Sequence, residues 1–118
     1  MAFVERLGYE RLRELGAHSE GPLRSAGAGS RSDVWTTIRA TVLDRPIVRS
    51  ESADTAFGAC ILAAAGTLHA SLGAATDAMV GTTGPEVAPV AEERDRLEVG
   101  YGRFVAALCE RGWLEWRS

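Results

Sequence analysis

The chain has 118 residues, 46% of them apolar, and a formal net charge of −3. That length fits one domain, residues 1–118, with a modest core, and the charge balance gives no reason to expect nucleic acid or a membrane surface. Two cysteines without Cys-x-x-Cys spacing, Cys60 and Cys109, argue against a disulfide scaffold and read as buried free thiols in a reducing cytoplasm.

The spacing of Val4, Leu7, Leu12 and Leu15 predicts an amphipathic helix over 2–16, with Glu5, Arg6, Glu10, Arg11, Arg13 and Glu14 facing solvent and Gly16 as its stop. The charges of residues 1–17 exclude a signal peptide, and the apolar run Ala56–Ala65 has only about half the length that spans a bilayer. A soluble, cytoplasmic protein is expected.

After a loop from His18 to Gly21, Pro22, Leu23 and Arg24 predict a strand. Asp33 to Leu43 predicts a helix with Val34, Ile38 and Val42 on its apolar stripe. Between them lies Ser25-Ala-Gly-Ala-Gly-Ser-Arg-Ser, a run of small residues. Few side chains there obstruct the backbone N–H groups, and the positive end of the helix is aimed at whatever binds. The loop therefore points to a nucleotide. Gly27-x-Gly29-x-x-Ser32, with Glu51 beyond the next strand, also mimics a dinucleotide fingerprint, although its third Gly is Ser. An ordinary strand–helix turn without a ligand is a further alternative. Asp33 reads as a first-turn acid favoured by the helix dipole, and Trp35 as core packing.

Pro46 leads into a second strand, Ile47-Val48-Arg49. A helix over 53–65, capped by Ser52 and ended by Gly66, is apolar nearly all round and is expected to be buried on several sides. Ser71 caps a shorter helix with Leu72, Ala75 and Met79 on one face. Residues 81–90 form an extended connector. A last helix, Ala91 to Arg111, carries the stripe Leu97, Tyr101, Phe104, Val105 and Leu108, and Trp113 and Trp116 follow it. Glu92, Glu93, Asp95 and Glu98 read as acids on a solvated face, and His18 and His69 as surface histidines. The order α-β-α-β-α-α-α is helix-rich α/β with a short parallel two-strand element. Two strands make a marginal core, which reads as the end of a larger sheet and the chain as a fragment.

Three segments carry a resemblance: Gly27-Ala-Gly-Ser-Arg-Ser-Asp-Val-Trp35, Ile38-Arg-Ala-Thr-Val-Leu-Asp-Arg-Pro46 and Asp54-Thr-Ala-Phe-Gly-Ala-Cys-Ile-Leu-Ala-Ala64. In this order they resemble the C-terminal part of FGGY-family carbohydrate kinases of the xylulokinase type. The resemblance implies an actin-like, ribonuclease H-like ATPase lobe and an ATP- and Mg²⁺-dependent kinase of sugars or polyols. It also implies that Gly27, Ala28 and Gly29 line the nucleotide, with Ser32 by the adenine and Ser30 as a further contact. Two positions depart from the family pattern: Ala28 stands where it has Gly, with a methyl that blocks the site if φ is positive there, and Asp44 stands where a helix-ending Gly belongs. The family's Asp general base and first phosphate loop precede the matched region, so no catalytic residue is assigned and the chain alone is expected to be inactive. The expected partners are ATP, and either a second copy of the chain or a missing N-terminal kinase portion. The alternative is an interaction remnant without ligand.

Overall fold

A computed structural model describes residues 1–18, 21–50, 55–80 and 84–115. Helix α1 runs Ala2–Glu14, β1 Leu23–Ser25, α2 Asp33–Leu43, β2 Ile47–Arg49, α3 Thr55–Ala64, α4 Leu72–Met79, β3 Glu86–Val87 and α5 Ala91–Glu110. A single 3₁₀ turn, Ala28–Arg31, precedes α2.

The helix stops behave as their residues dictate. At the end of α1 the Gly16 N–H donates to Arg13 O (2.9 Å) and the Ala17 N–H to Leu12 O (2.9 Å), with Gly16 left-handed. This paired bonding closes the last carbonyls of the helix. The same pattern ends α2, where Arg45 N–H reaches Ala40 O (3.1 Å), but the left-handed residue is Asp44, at φ 51°. Ser71 caps α4, its hydroxyl oxygen accepting from Ala74 N–H at 3.1 Å. The predicted cap Ser52 and the tail residue Trp116 lie outside the described residues.

The sheet corrects the expected two-strand element. β1 pairs parallel with β2, and β2 pairs antiparallel with β3, giving the order β1-β2-β3. The third strand sits in the stretch read as a connector. A strand of two residues, set between Pro85 and Pro89, is too short to show alternation, so periodicity cannot announce it. Its approach depends on Gly84, whose N–H donates to Arg49 O at 2.9 Å; a Cβ there would stand 2.8 Å from that oxygen. As the central strand, β2 holds two buried apolar residues, Ile47 and Val48.

α2 packs on α1, α5 and the sheet. It buries Thr36, Ala40, Thr41 and Val42, whereas Val34 is 71% exposed and Ile38 is partly exposed, so the expected stripe is displaced around the helix. Threonine serves in this buried face because its hydroxyl is satisfied locally: Thr36 Oγ1 donates to Ser32 O and Thr41 Oγ1 to Thr37 O, both at 2.8 Å. Thr41 Oγ1 also accepts from Val90 N–H at 3.1 Å, tying α2 to the start of α5.

α1 departs similarly. Val4, Leu12 and Leu15 are exposed, and its inward contact is Phe3, whose ring lies 5.8 Å from that of Tyr101 and 5.9 Å from that of Phe104. Charges expected in solvent turn inward instead. Arg6 donates to Glu98 (2.5 and 2.8 Å) and to Glu10 (3.0 Å), its guanidinium lies 4.0 Å from the centre of the Tyr101 ring, and the Tyr101 hydroxyl donates to Glu10. Salt-bridged long side chains thus cover the aromatic stripe of α5, which is buried as predicted around Tyr101.

α3 and α4 pack on each other around Ile61, Ala64 and Ala75, with Phe57, Met79 and Val80 against them. The expectation of burial on several sides is not met: Ala56, Ala59, Leu62 and Ala63 are exposed, and so is Cys60, expected to be a buried thiol. Among the described residues, α3 packs chiefly on α4, through the side that carries Phe57, Ile61 and Ala64. Among the described residues no helix is long and apolar enough to cross a membrane.

Candidate functional site

The loop between β1 and α2 is built from its glycine outward. Gly27 stands at φ 87°, ψ 177°, a conformation that an L side chain rarely adopts, and turns the chain into the 3₁₀ segment. Ser30 is buried and its hydroxyl donates back to Gly27 O at 2.7 Å, closing the loop on itself. Ser32 is the N-cap of α2, its oxygen accepting from Trp35 N–H at 3.2 Å. The hydroxyl oxygens of Ser30 and Ser32 are therefore engaged in shaping the loop. The leading N–H groups of a 3₁₀ turn have no acceptor inside it, which leaves the backbone at Ala28 and Gly29 as the donor surface.

Ala28 does not take a positive φ: among the described residues Asp44 is the non-glycine residue that does. The methyl of Ala28 is exposed and carries no backbone strain, so the condition under which it blocks the loop is not fulfilled. Gly29 faces the Trp35 indole, and a Cβ there would lie 3.6 Å from the ring, an ordinary contact. Trp35 is half-buried and forms a wall of the site.

An open cleft of about 500 Å³ lies beside the loop, lined by Glu5, Arg24, Gly29, Ser30, Trp35 and Arg39 among others. Its floor is an ion pair that the motif reading did not single out. Arg39 grips Glu5 through two bonds (2.8 and 2.7 Å) and Ser25 Oγ through a third (2.6 Å). One guanidinium thereby joins α1, α2 and the end of β1. The Glu5 hydrogen bonds hold Arg39 above the ordinary arginine range, so its charge is fixed. Glu5 and Arg39 are 34 positions apart, and only the tertiary fold reveals the pair.

Asp33, in the first turn of α2 as expected, is largely exposed and pairs with Arg49 of β2 at 2.6 Å. The bridge fixes the start of the helix against the sheet. Asp44 pairs with Arg94. The acids of α5 divide: Glu93 pairs with Arg96 on the surface, whereas Glu98 belongs to the Arg6 cluster. Among the described residues no three His, Cys, Asp or Glu side chains come together to hold a metal ion. Glu51, the acid of the dinucleotide alternative, lies outside the described residues.

No family model matches the chain. Among solved structures, the crystal structure of xylulose kinase from Rhodospirillum rubrum superposes with a TM-score of 0.62 and 27% sequence identity over 92% of this chain. The chain resembles a xylulose kinase. It spans 23% of the length of that xylulose kinase. The match accords with the FGGY-type motifs at Gly27–Trp35, Ile38–Pro46 and Asp54–Ala64. It also gives context to Asp44, which occupies the left-handed helix end where those motifs have Gly.

Proposed function

We propose that this chain, as one 118-residue unit, is the nucleotide-binding C-terminal part of an ATP-dependent carbohydrate kinase. Its role is to hold the adenosine end of ATP within an actin-like, ribonuclease H-like lobe. The observation that carries the reading is the likeness to xylulose kinase over 92% of the chain, with the Gly27 loop inside the matching motifs. The local geometry supports it: a glycine-opened turn presents N–H groups at the start of α2, beside a cleft walled by Trp35. Gly27, Ala28 and Gly29 meet the ligand through the backbone, Ser32 lies towards the adenine, and Ser30 acts from within the loop. ATP suits this donor set. For the Mg²⁺ that accompanies ATP in the family we assign no ligand on this chain, because the described residues offer no carboxylate cluster.

Phosphoryl transfer needs a group that accepts the substrate hydroxyl proton and a clamp on the transferred phosphate. We assign neither here, so the chain alone is expected to show no sugar-dependent consumption of ATP. Calorimetric titration tests the binding role. ATP, ADP and adenosine should compete for one site with little dependence on Mg²⁺, and Gly27→Val should abolish it. Absence of saturable ATP binding by the folded chain would overturn the proposal.

A further inference from the structure

The cleft beside the Gly27 loop is lined by three residues whose hydrogen-bond donors are not engaged among the described residues. Arg24 of β1 is exposed and makes no side-chain hydrogen bond, ion pair or ring contact among them. The Trp35 indole N–H makes no hydrogen bond among them either. It stands at the edge of the loop, where a Cβ on Gly29 would lie 3.6 Å from Nε1. The third donor is the Gly29 N–H, which has no acceptor inside the 3₁₀ turn. All three residues border the same space of about 500 Å³.

The side-chain acceptors of the cleft are already engaged. Glu5 accepts two bonds from Arg39, at 2.8 and 2.7 Å, and Ser25 Oγ accepts a third at 2.6 Å. Glu5 and Arg39 also neutralise each other, so the lining side chains carry the single net positive charge of Arg24. A guanidinium and N–H donors without competing acceptors match the oxygens of a phosphoryl group. A neutral nucleoside would leave the charge of Arg24 uncompensated.

We infer that Arg24 recognises the phosphate next to the ribose of a bound nucleotide. The N–H groups of Gly29 and Trp35 donate to the same phosphate or to the ribose oxygens. The inference rests on the nucleotide reading above and adds a specificity to it: the chain distinguishes a 5′-nucleotide from its nucleoside, and Arg24 is the residue that does so.

Calorimetric titration of the full chain with AMP and with adenosine tests this, because the two ligands differ by the phosphate alone. AMP should bind about tenfold more tightly, the factor expected of one charge-assisted hydrogen bond. Arg24→Gln should bring the two affinities within about twofold by weakening AMP and leaving adenosine unchanged. Arg24 is exposed, so the variant should keep the circular dichroism of the unmutated chain. Arg103→Gln, an exposed site on α5, should keep the preference for AMP. In NMR spectra the Trp35 indole N–H should shift saturably with AMP. A chain that binds neither ligand overturns the nucleotide reading and this assignment together. Equal affinity for the two ligands overturns the assignment alone. So does a preference for AMP that survives Arg24→Gln, or one that Arg103→Gln removes equally.

Discussion

Gly27 and Ala28 show how backbone conformation, more than residue type, decides what a loop tolerates. Gly27 sits at φ 87°, so Gly27→Ala places a Cβ in the left-handed region at a cost of about 1–2 kcal/mol and disturbs the loop. Ala28 has no such conformation, and Ala28→Gly should alter ATP affinity by less than about twofold, a free-energy change under roughly 0.4 kcal/mol. Calorimetry on the two variants checks the contrast; a large gain in affinity from Ala28→Gly would show that the methyl obstructs the ligand. Arg39 makes a different prediction. Its three bonds to Glu5 and Ser25 are largely shielded, so Arg39→Ala should destabilise the chain by about 2 kcal/mol in urea unfolding. Arg39→Lys should recover little, because an ammonium cannot reproduce the two-pronged grip on Glu5.

At the scale of elements, β2 is the keystone, since among the described residues it is the strand with a partner on each side. Ile47 is fully buried there, and Ile47→Ala should cost about 3 kcal/mol of stability, measured by thermal or urea unfolding. The α1–α5 contact carries a pH signature. Hydrogen bonds from Arg6 hold the Glu98 carboxyl below its ordinary value. A lowered folded value means that this contribution is complete above the unfolded pKa and is lost as pH falls through the folded one. Glu98 is more than half exposed, so the loss should stay below about 1 kcal/mol. Glu98→Gln should flatten the acid limb of the stability–pH curve; an unchanged limb would assign that slope to other carboxylates. The Tyr101 hydroxyl moves oppositely in value: burial first, then its bond to Glu10, raises it above the ordinary phenol range.

The same elements show what could be read in advance. Helices with chemical punctuation were legible: Gly16, Gly66 and Ser71 mark ends where the chain does end or begin a helix. The stripe of α5 was legible because Tyr101 and Phe104 recur at helical spacing on a buried face. β3 was not, because a strand of only two residues carries no period. The inner faces of α1 and α2 were misplaced for a shared reason. Threonines with locally bonded hydroxyls and salt-bridged Arg6, Glu5 and Glu10 occupy positions that hydrophobic counting assigns to aliphatic side chains. At the loop, Gly27 and Ser32 were recognisable from residue type, but the Arg39–Glu5 floor depends on tertiary contact.

On the scale of the whole molecule, the chain is extended, 51 × 30 × 22 Å, and spans 23% of the xylulose kinase it resembles. The sheet has three short strands, and the α3–α4 hairpin buries only a small cluster around Ile61, Ala64 and Ala75. On the proposed reading binding and catalysis should separate: the loop before α2 would serve nucleotide recognition, whereas turnover requires groups that are not assigned on this chain. A coupled assay with ATP and a range of sugars should give no turnover by the purified chain, and sugar-dependent ADP release would refute that division. The most direct test of the central claim is an ATP titration followed by amide NMR shifts of the 118-residue chain. Saturable shifts centred on Gly27–Ser32, reproduced by adenosine, are the predicted result. A well-dispersed spectrum with no saturable shift at those amides would contradict the account.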